Sequence, residues 1–225
     1  MEAAWVDRLE RRWGFLAAPG LPGFAAAMTA AVGLLAQTKP EFTDALALDS
    51  SALLRGQVWR ALTFLAVPPP TGVLWLLLWA LLIYSCLKAL ESAWGDFKLT
   101  VFLALGALCS SLTAAALGAA VARFPQPYGS VGVQFGNAYV LLAAFLAFAR
   151  LLPDREMLIM FVLPVKLRWL AALAAVWTLA QFLGADAISR AEIASGLAPY
   201  LIFFGPGHWS DARQAWRRWR AGLER

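Results

Sequence analysis

Six apolar segments constrain what this chain can fold into. They lie at about residues 21–36, 73–90, 99–122, 133–149, 168–184 and 192–205. A helix needs about 20 apolar residues to cross a hydrocarbon layer about 30 Å thick, so the shorter segments predict local thinning of the bilayer. Of the 225 residues, 61% are hydrophobic and only 15% are charged, which is too apolar a balance for a soluble domain. The sequence therefore predicts one all-α polytopic membrane domain with six transmembrane helices.

Lysine and arginine are distributed unevenly among the connecting segments. Fourteen of the 19 basic residues fall in residues 1–20, 88–98, 150–168 and 206–225, and the other connections hold the remaining five. The positive-inside rule assigns the richer set to the cytoplasm. Both termini are then cytoplasmic, which requires an even number of spans and agrees with six.

The two tails, residues 1–20 and 206–225, flank a membrane domain at 21–205 and are amphipathic. In the C-terminal tail, one helical stripe is aromatic and the next is basic; the stripes are Trp209, Trp216 and Trp219, and Arg213, Arg217 and Arg220. This pattern is typical of interfacial helices lying against anionic lipid. A basic nucleic-acid patch is the rival interpretation of the net charge of +5. We favour the membrane, which explains the tryptophans as well as the arginines, and expect no nucleic-acid partner.

The first outer connection, residues 37–72, is long and apolar. An apolar loop must lie on the helical bundle or dip into the interface, because its backbone needs hydrogen-bond partners. Trp59 suits an interfacial depth, and Arg60 can snorkel or bond carbonyl groups. Direct binding of a partner by this Trp-Arg pair is the alternative interpretation.

Two motifs resemble a known family. Gly56-Gln57-Val58-Trp59-Arg60-Ala61-Leu62-Thr63 resembles the G-x-x-W-R-x-x-T segment in the first loop of rhomboid proteases and derlins. Leu90-Glu91-Ser92-Ala93-Trp94-Gly95 is similar to the L-E-x-x-x-G at the inner end of that family's second span. The resemblance extends from about residue 20 to 205 and implies a rhomboid-like six-helix bundle. It makes Glu91 and Gly95 candidate site residues, although Glu91 is also explained as a headgroup-level charge paired with Lys88 or Lys98.

The same resemblance implies a catalytic serine at the start of the fourth span. The family run S-G-A-V-F-G is similar to residues 131–136, which puts Val131 at the nucleophile position. A shift of one residue puts Ser130 there instead. A turn or N-cap residue before the fourth span is the plainer interpretation of Ser130.

A base must take the proton of such a serine, and the resemblance implies a histidine in the sixth span. The family's A-H-x-x-G is similar to residues 191–196, with Glu192 at the histidine position. The one histidine, His208, lies roughly 24 Å further along a helix, out of reach. Glu192 is a catalytic candidate only if Ser130 is active; otherwise it is an acid at a helix start, favoured by the helix dipole.

Few other polar groups fall inside the spans. The main ones, Gln134, Asn137, Thr178 and Gln181, are functional candidates, with interhelical hydrogen bonds as the alternative. Gln134 and Asn137 are the candidate contacts for partners or lipid. One histidine and two cysteines in apolar runs predict no metal site, no disulfide and no cofactor.

We therefore expect a non-catalytic rhomboid-like protein, similar to derlins. It would bind transmembrane segments of other membrane proteins in quality control, chaperoning or complex assembly. An intramembrane serine protease using Ser130 and a scaffold subunit of a larger membrane complex are the alternatives. The bias towards Ala, Leu, Arg and Trp resembles a GC-rich bacterial gene, which predicts a bacterial inner membrane.

Overall fold

The structure is a computed structural model that describes residues 4–39, 41–69, 72–123, 132–159 and 163–223. Its helices are α1 Ala4–Trp13, α2 Leu21–Thr38, α3 Glu41–Leu46, α4 Ser50–Leu54, α5 Arg60–Thr63, α6 Val73–Trp94, α7 Asp96–Val121, α8 Ala138–Leu151, α9 Leu167–Gly184 and α10 Ala187–Leu223. Two single 3-10 turns, Gly14–Leu16 and Phe64–Ala66, extend α1 and α5. The strands are β1 Leu48–Asp49, β2 Gln134–Phe135, β3 Glu156–Ile159 and β4 Leu163–Lys166. They form two antiparallel pairs, β1 with β2 and β3 with β4.

Each of the six predicted apolar segments overlaps one long helix. Within the described residues, α2, α6, α7 and α9 are long and apolar enough to cross a membrane. The fourth segment was predicted as helical from residue 133, and this was wrong for its first residues. Gln134 and Phe135 are extended because they pair with the outer loop, and α8 begins only at Ala138.

The short helix α8 occupies the centre of the fold. It has 14 residues and contacts α6, α7, α9 and α10. Its buried side chains are almost all small: Val140, Ala143, Ala144 and Ala147 are at most 1% exposed. Small residues let neighbouring backbones approach closely, which is how helices associate where no water drives them together.

Glycines provide the closest helix contacts to α8. A Cβ at Gly106 of α7 would come within 2.6 Å of Val140 Cγ1 and 3.4 Å of Pro199 Cγ. A Cβ at Gly196 of α10 would overlap Tyr139 Cβ. Gly196 and its neighbour Ser195 are buried.

An aromatic cluster closes one end of the bundle. Trp94 at the end of α6 lies 5.6 Å from Phe102 of α7 and 5.5 Å from Phe203 of α10, measured between ring centroids. Gly95 separates α6 from α7 with φ of 84°, a conformation that side-chain-bearing residues rarely adopt. The resemblance singled out this glycine, and its conformation explains why glycine is needed there.

Helix α10 is continuous where the sequence suggested a domain and then a tail. It runs for 37 residues, through Pro199 and Pro206, with no break at residue 205. At 1.5 Å per residue it is roughly 55 Å long. Pro199 is buried against α7, where packing against a neighbouring helix compensates for the missing hydrogen bond.

The contact of Gly196 with α8 gives a first testable prediction. We expect Gly196→Ala to destabilise the protein by roughly 1–3 kcal/mol, because the added methyl group has no space and the nearby atoms include backbone. Gly23→Ala in α2 is the matched control: nothing lies within 4 Å of its Cβ, and alanine favours a helix. Thermal unfolding in mild detergent, followed by a thiol-reactive dye at the buried Cys86, measures both. Equal melting temperatures for the two variants would contradict the packing described here.

Candidate functional site

The outer loop is joined to the start of the fourth segment by backbone pairing. Leu48 and Asp49 pair with Phe135 and Gln134, and the Ser50 N–H donates to the Val133 carbonyl at 2.9 Å. The Ser50 hydroxyl accepts a hydrogen bond from the Val133 N–H at 2.8 Å. Ser50 is 1% exposed, and Gly118 of α7 leaves the space for its side chain. The loop is therefore part of the folded body.

Asp49 anchors this junction with its carboxylate. Oδ1 accepts from the Ser51 hydroxyl at 2.6 Å and from the Ala52 N–H at 2.9 Å, which caps α4. Oδ2 accepts from the Gln134 side chain at 3.4 Å. Partial burial acts to raise the pKa of Asp49, but these hydrogen bonds to the charged form together lower it below its ordinary value.

Arg60 is buried beneath the loop and bonds to carbonyl groups. Its guanidinium donates to the Gln57 side chain at 2.7 Å, to the Asp44 carbonyl at 2.5 Å and to the Ala47 carbonyl at 2.8 Å. These carbonyls lie at the ends of α3 and the adjoining turn, where no helical partner is available. Carbonyl bonding was one of the two roles suggested for Arg60, and the geometry leaves little of the group for an external partner.

Asn137, which precedes α8, also donates hydrogen bonds to carbonyl groups of the outer loop. Its amide group donates to the carbonyls of Leu65 and Val67, both at 2.8 Å, and the side chain is 6% exposed. Thr63 donates to the Leu46 carbonyl at 3.0 Å. Asn137 thus holds the end of the loop against the start of α8 through interactions inside the protein.

Trp59 lies outward, in contrast to Arg60. It is 52% exposed and stands in an apolar patch with Leu54, Val58 and Leu62, each at least 55% exposed. Such a cluster at the membrane surface suits the depth at which tryptophan prefers to lie. Of the Trp-Arg pair, the tryptophan is available to lipid or a partner.

Glu192 contacts the start of α8. Its Oε1 accepts a hydrogen bond from the Gly136 N–H at 2.8 Å, one residue before Asn137. The side chain is half-buried, and the carboxylate lies near the positive end of the α8 dipole. The prediction that Glu192 lies at the start of its own helix was wrong, because α10 begins five residues earlier at Ala187; the carboxylate lies at the start of α8 instead.

The histidine is remote from this position. His208 lies 16 residues further along α10, and its Nε2 is 2.7 Å from the Tyr200 hydroxyl. Both candidates for the nucleophile position, Ser130 and Val131, lie outside the described residues. Within the described part of the chain, no three His, Cys, Asp or Glu residues are grouped to hold a metal ion.

Beside Glu192, a polar pair links α8 and α9 within apolar surroundings. The Tyr139 hydroxyl donates to Gln181 Oε1 at 3.3 Å, and Gln181 is exposed on the outer surface of α9. Thr178, one turn away, bonds the Ala174 carbonyl of its own helix at 2.8 Å. Gln134 is likewise exposed, on the far side of the loop junction.

Glu91 is separate from the outer cluster. It lies near the end of α6, is 7% exposed, and pairs with Lys88 one turn earlier. This pairing was one of the two that the sequence suggested. The outer loop, by contrast, contacts the first half of the fourth segment, so the structure does not bring Glu91 and Gly95 together with the other candidates.

Sequence reasoning missed Asp49, Ser50 and Tyr139. Asp-Ser-Ser before a short apolar run is a helix-start signal that would have identified Asp49 as a cap. No local signal marks Ser50 or Tyr139, because their partners lie 83 and 42 residues away in the chain.

The architecture and the exposed apolar helices define an integral, multi-pass α-helical membrane protein in contact with lipid. The chain belongs to the family described as eukaryotic integral membrane protein (DUF1751), whose family model matches residues 23–206. A comparison with curated proteins gives no match. The description names eukaryotic proteins, so the expected bacterial inner membrane is unsupported. The residue bias behind that expectation follows base composition, which does not separate bacterial from eukaryotic genes.

Arg60 and Arg55 allow a matched test of the loop. We expect Arg60→Met to destabilise the loop by about 2–3 kcal/mol, because two partly buried carbonyls lose a charged donor. Arg55→Met removes an exposed arginine that bonds only within α4, and should have little effect. The rate of chymotrypsin cleavage within residues 41–67 measures the difference. A similar rate in both variants would show that Arg60 does not hold the loop.

Asp49 predicts a pH dependence. Because its pKa is lowered in the folded protein, its stabilising effect is present above the unfolded value of 3.8 and is lost as the pH falls through the lower folded value. Asp49→Asn should therefore melt at a lower temperature than the wild type at pH 7, with the gap closing at the acid end. Melting curves from pH 7 to pH 3 measure this, with Asp154→Asn as an exposed control. A gap independent of pH would contradict the role of the charge.

Proposed function

We propose that this protein is a non-catalytic, rhomboid-like membrane protein that binds transmembrane segments of other membrane proteins. In this proposal the six apolar helices α2, α6, α7, α8, α9 and α10 each cross or enter the bilayer, with both termini in the cytoplasm. The fourteen-to-five distribution of basic residues supports that orientation. Quality control, chaperoning and complex assembly are the activities that such binding serves.

The contact between Glu192 and Gly136 carries the non-catalytic part of the proposal. The position where the resemblance implies a histidine holds a carboxylate, and that carboxylate already accepts a backbone hydrogen bond. This hydrogen bond occupies Oε1 as an acceptor and holds the carboxylate against the start of α8. The only histidine bonds Tyr200, roughly 24 Å along α10 from Glu192.

The Tyr139–Gln181 pair and the surface around it supply the binding site in this proposal. Only 11% of the residues of α9 are buried, and its exposed residues include Trp177 and Leu173. An exposed glutamine in such a surface favours a partner helix that offers its own polar group, because lipid tails cannot bond it. Trp59 lies on the outer loop and suits a contact at the headgroup level.

Photo-crosslinking in cell membranes tests this site. With a photoreactive amino acid in place of Trp177, one turn from Gln181, we expect crosslinks to other membrane proteins. Gln181→Leu should reduce their yield about threefold or more, because one intramembrane hydrogen bond is lost. The same photoreactive residue at Phe24, which is 64% exposed on α2, is the control. Equal recovery from positions 177 and 24, or no membrane-protein partner at all, would refute the proposal.

Crosslinking tests the scaffold alternative, and a separate chemical probe tests the protease alternative. Capture of one partner at fixed stoichiometry would favour a scaffold subunit over a binder of diverse clients. A fluorophosphonate probe tests the protease: labelling of the wild type that is lost in Ser130→Ala would establish a reactive serine and overturn the non-catalytic proposal.

A further inference from the structure

Helix α1 is fixed to the bundle as a rigid element. Val6 is 1% exposed and belongs to the hydrophobic core. The Asp7 carboxylate lies 2.8 Å from Lys98 Nζ at the start of α7. Further along, the Ala18 N–H donates to the Thr100 hydroxyl at 3.1 Å. One face of residues 6–18 is therefore taken up by contacts within the protein.

The next face of this segment is apolar and uncovered. Leu9 and Trp13, one turn apart, are 37% and 43% exposed, and Phe15 and Leu16 are 75% and 56% exposed. The four side chains extend from α1 into the turn that follows it. Exposed apolar groups of this size in a membrane protein are stable where they enter the acyl boundary.

The remaining face is basic. Arg8 and Arg12 are one turn apart beside the Leu9–Trp13 edge, Arg11 is adjacent, and all three are exposed. Among the ion pairs of the described residues, none involves these arginines, whereas Asp7 is neutralised by Lys98. Glu10 is the one other acid within α1.

The position of α1 beside two membrane helices indicates what its apolar and basic faces contact. The membrane helix α2 begins at Leu21, only five residues after Leu16, and Gly20 makes the turn between them with φ of 76°. α1 also packs beside the first turn of α7, another membrane helix. Both neighbours enter the bilayer here, so α1 lies at the level of the headgroups.

We infer that α1 is a binding surface for anionic phospholipid headgroups of the adjacent leaflet. Leu9, Trp13 and Leu16 enter the acyl boundary, and Arg8, Arg11 and Arg12 bind the phosphate and carboxylate groups above it. Docking to α7 holds the arginines in place before lipid arrives, which reduces the ordering cost of binding. This surface is independent of the proposed binding of membrane-protein clients.

Lipid selectivity of the full-length chain in phosphatidylcholine vesicles tests this inference. Spin-labelled phosphatidylserine and spin-labelled phosphatidylcholine are compared as probes at low salt. We expect the wild type to prefer the serine lipid. The triple variant Arg8→Gln, Arg11→Gln, Arg12→Gln should lower the relative affinity for the serine lipid by roughly a hundredfold, since each basic residue at the surface contributes about fivefold.

The triple variant Lys39→Gln, Arg55→Gln, Arg123→Gln removes the same charge from exposed positions outside the two tails and is the matched control. Selectivity lost in the α1 variant but kept in this control variant supports the inference. Selectivity that survives in the α1 variant, or falls equally in both variants, overturns it. No selectivity in the wild type also overturns it and leaves this surface to an acidic protein segment.

Discussion

The fold depends on satisfying backbone polar groups close to the membrane, where water is scarce. Between α2 and α6 the described residues form short helices, turns and the two-residue strand β1, and the short helices leave carbonyls and N–H groups without helical partners. Arg60 and Asn137 each bond two of those carbonyls, and Glu192 accepts the Gly136 N–H. Each such group left unpaired in an apolar environment would cost several kcal/mol. The polar side chains that sequence analysis singled out as candidate contacts are therefore partly explained as internal donors and acceptors.

This requirement also explains why α8 is short and central. The loop pairs with Gln134 and Phe135, so the fourth apolar segment cannot be helical from its start. The extended piece places Gly136 beside Glu192 of α10, while Val140 and the alanines of α8 allow α6, α7 and α10 to pack closely. A helix of 14 residues is roughly 21 Å long, which is less than the thickness of the hydrocarbon layer.

Hydropathy alone located six helices, because an apolar stretch in lipid must satisfy its backbone within itself. The apolar loop was also correctly expected to lie against the bundle, for the same reason. Two features were beyond the sequence. The docking of α1 depends on Val6 and on Lys98, 91 positions after Asp7, which no local pattern links. The continuity of α10 depends on the packing of Pro199 against α7, whereas a proline alone predicts a kink.

The candidate site shows the same division between local and distant information. The sequence alone shows that position 192 holds a glutamate and not the histidine that the family resemblance implies. The partner of Glu192 could not be predicted from the sequence, because Gly136 is 56 residues away and offers only a backbone N–H. The missing histidine removes a base from position 192. The carboxylate that is bonded to the start of α8 gives the same position a structural role. In the proposed non-catalytic protein, this stabilising contact is a reason for the fold to keep a glutamate at position 192. The proposed binding through the exposed faces of α9 then requires only that this junction stay intact.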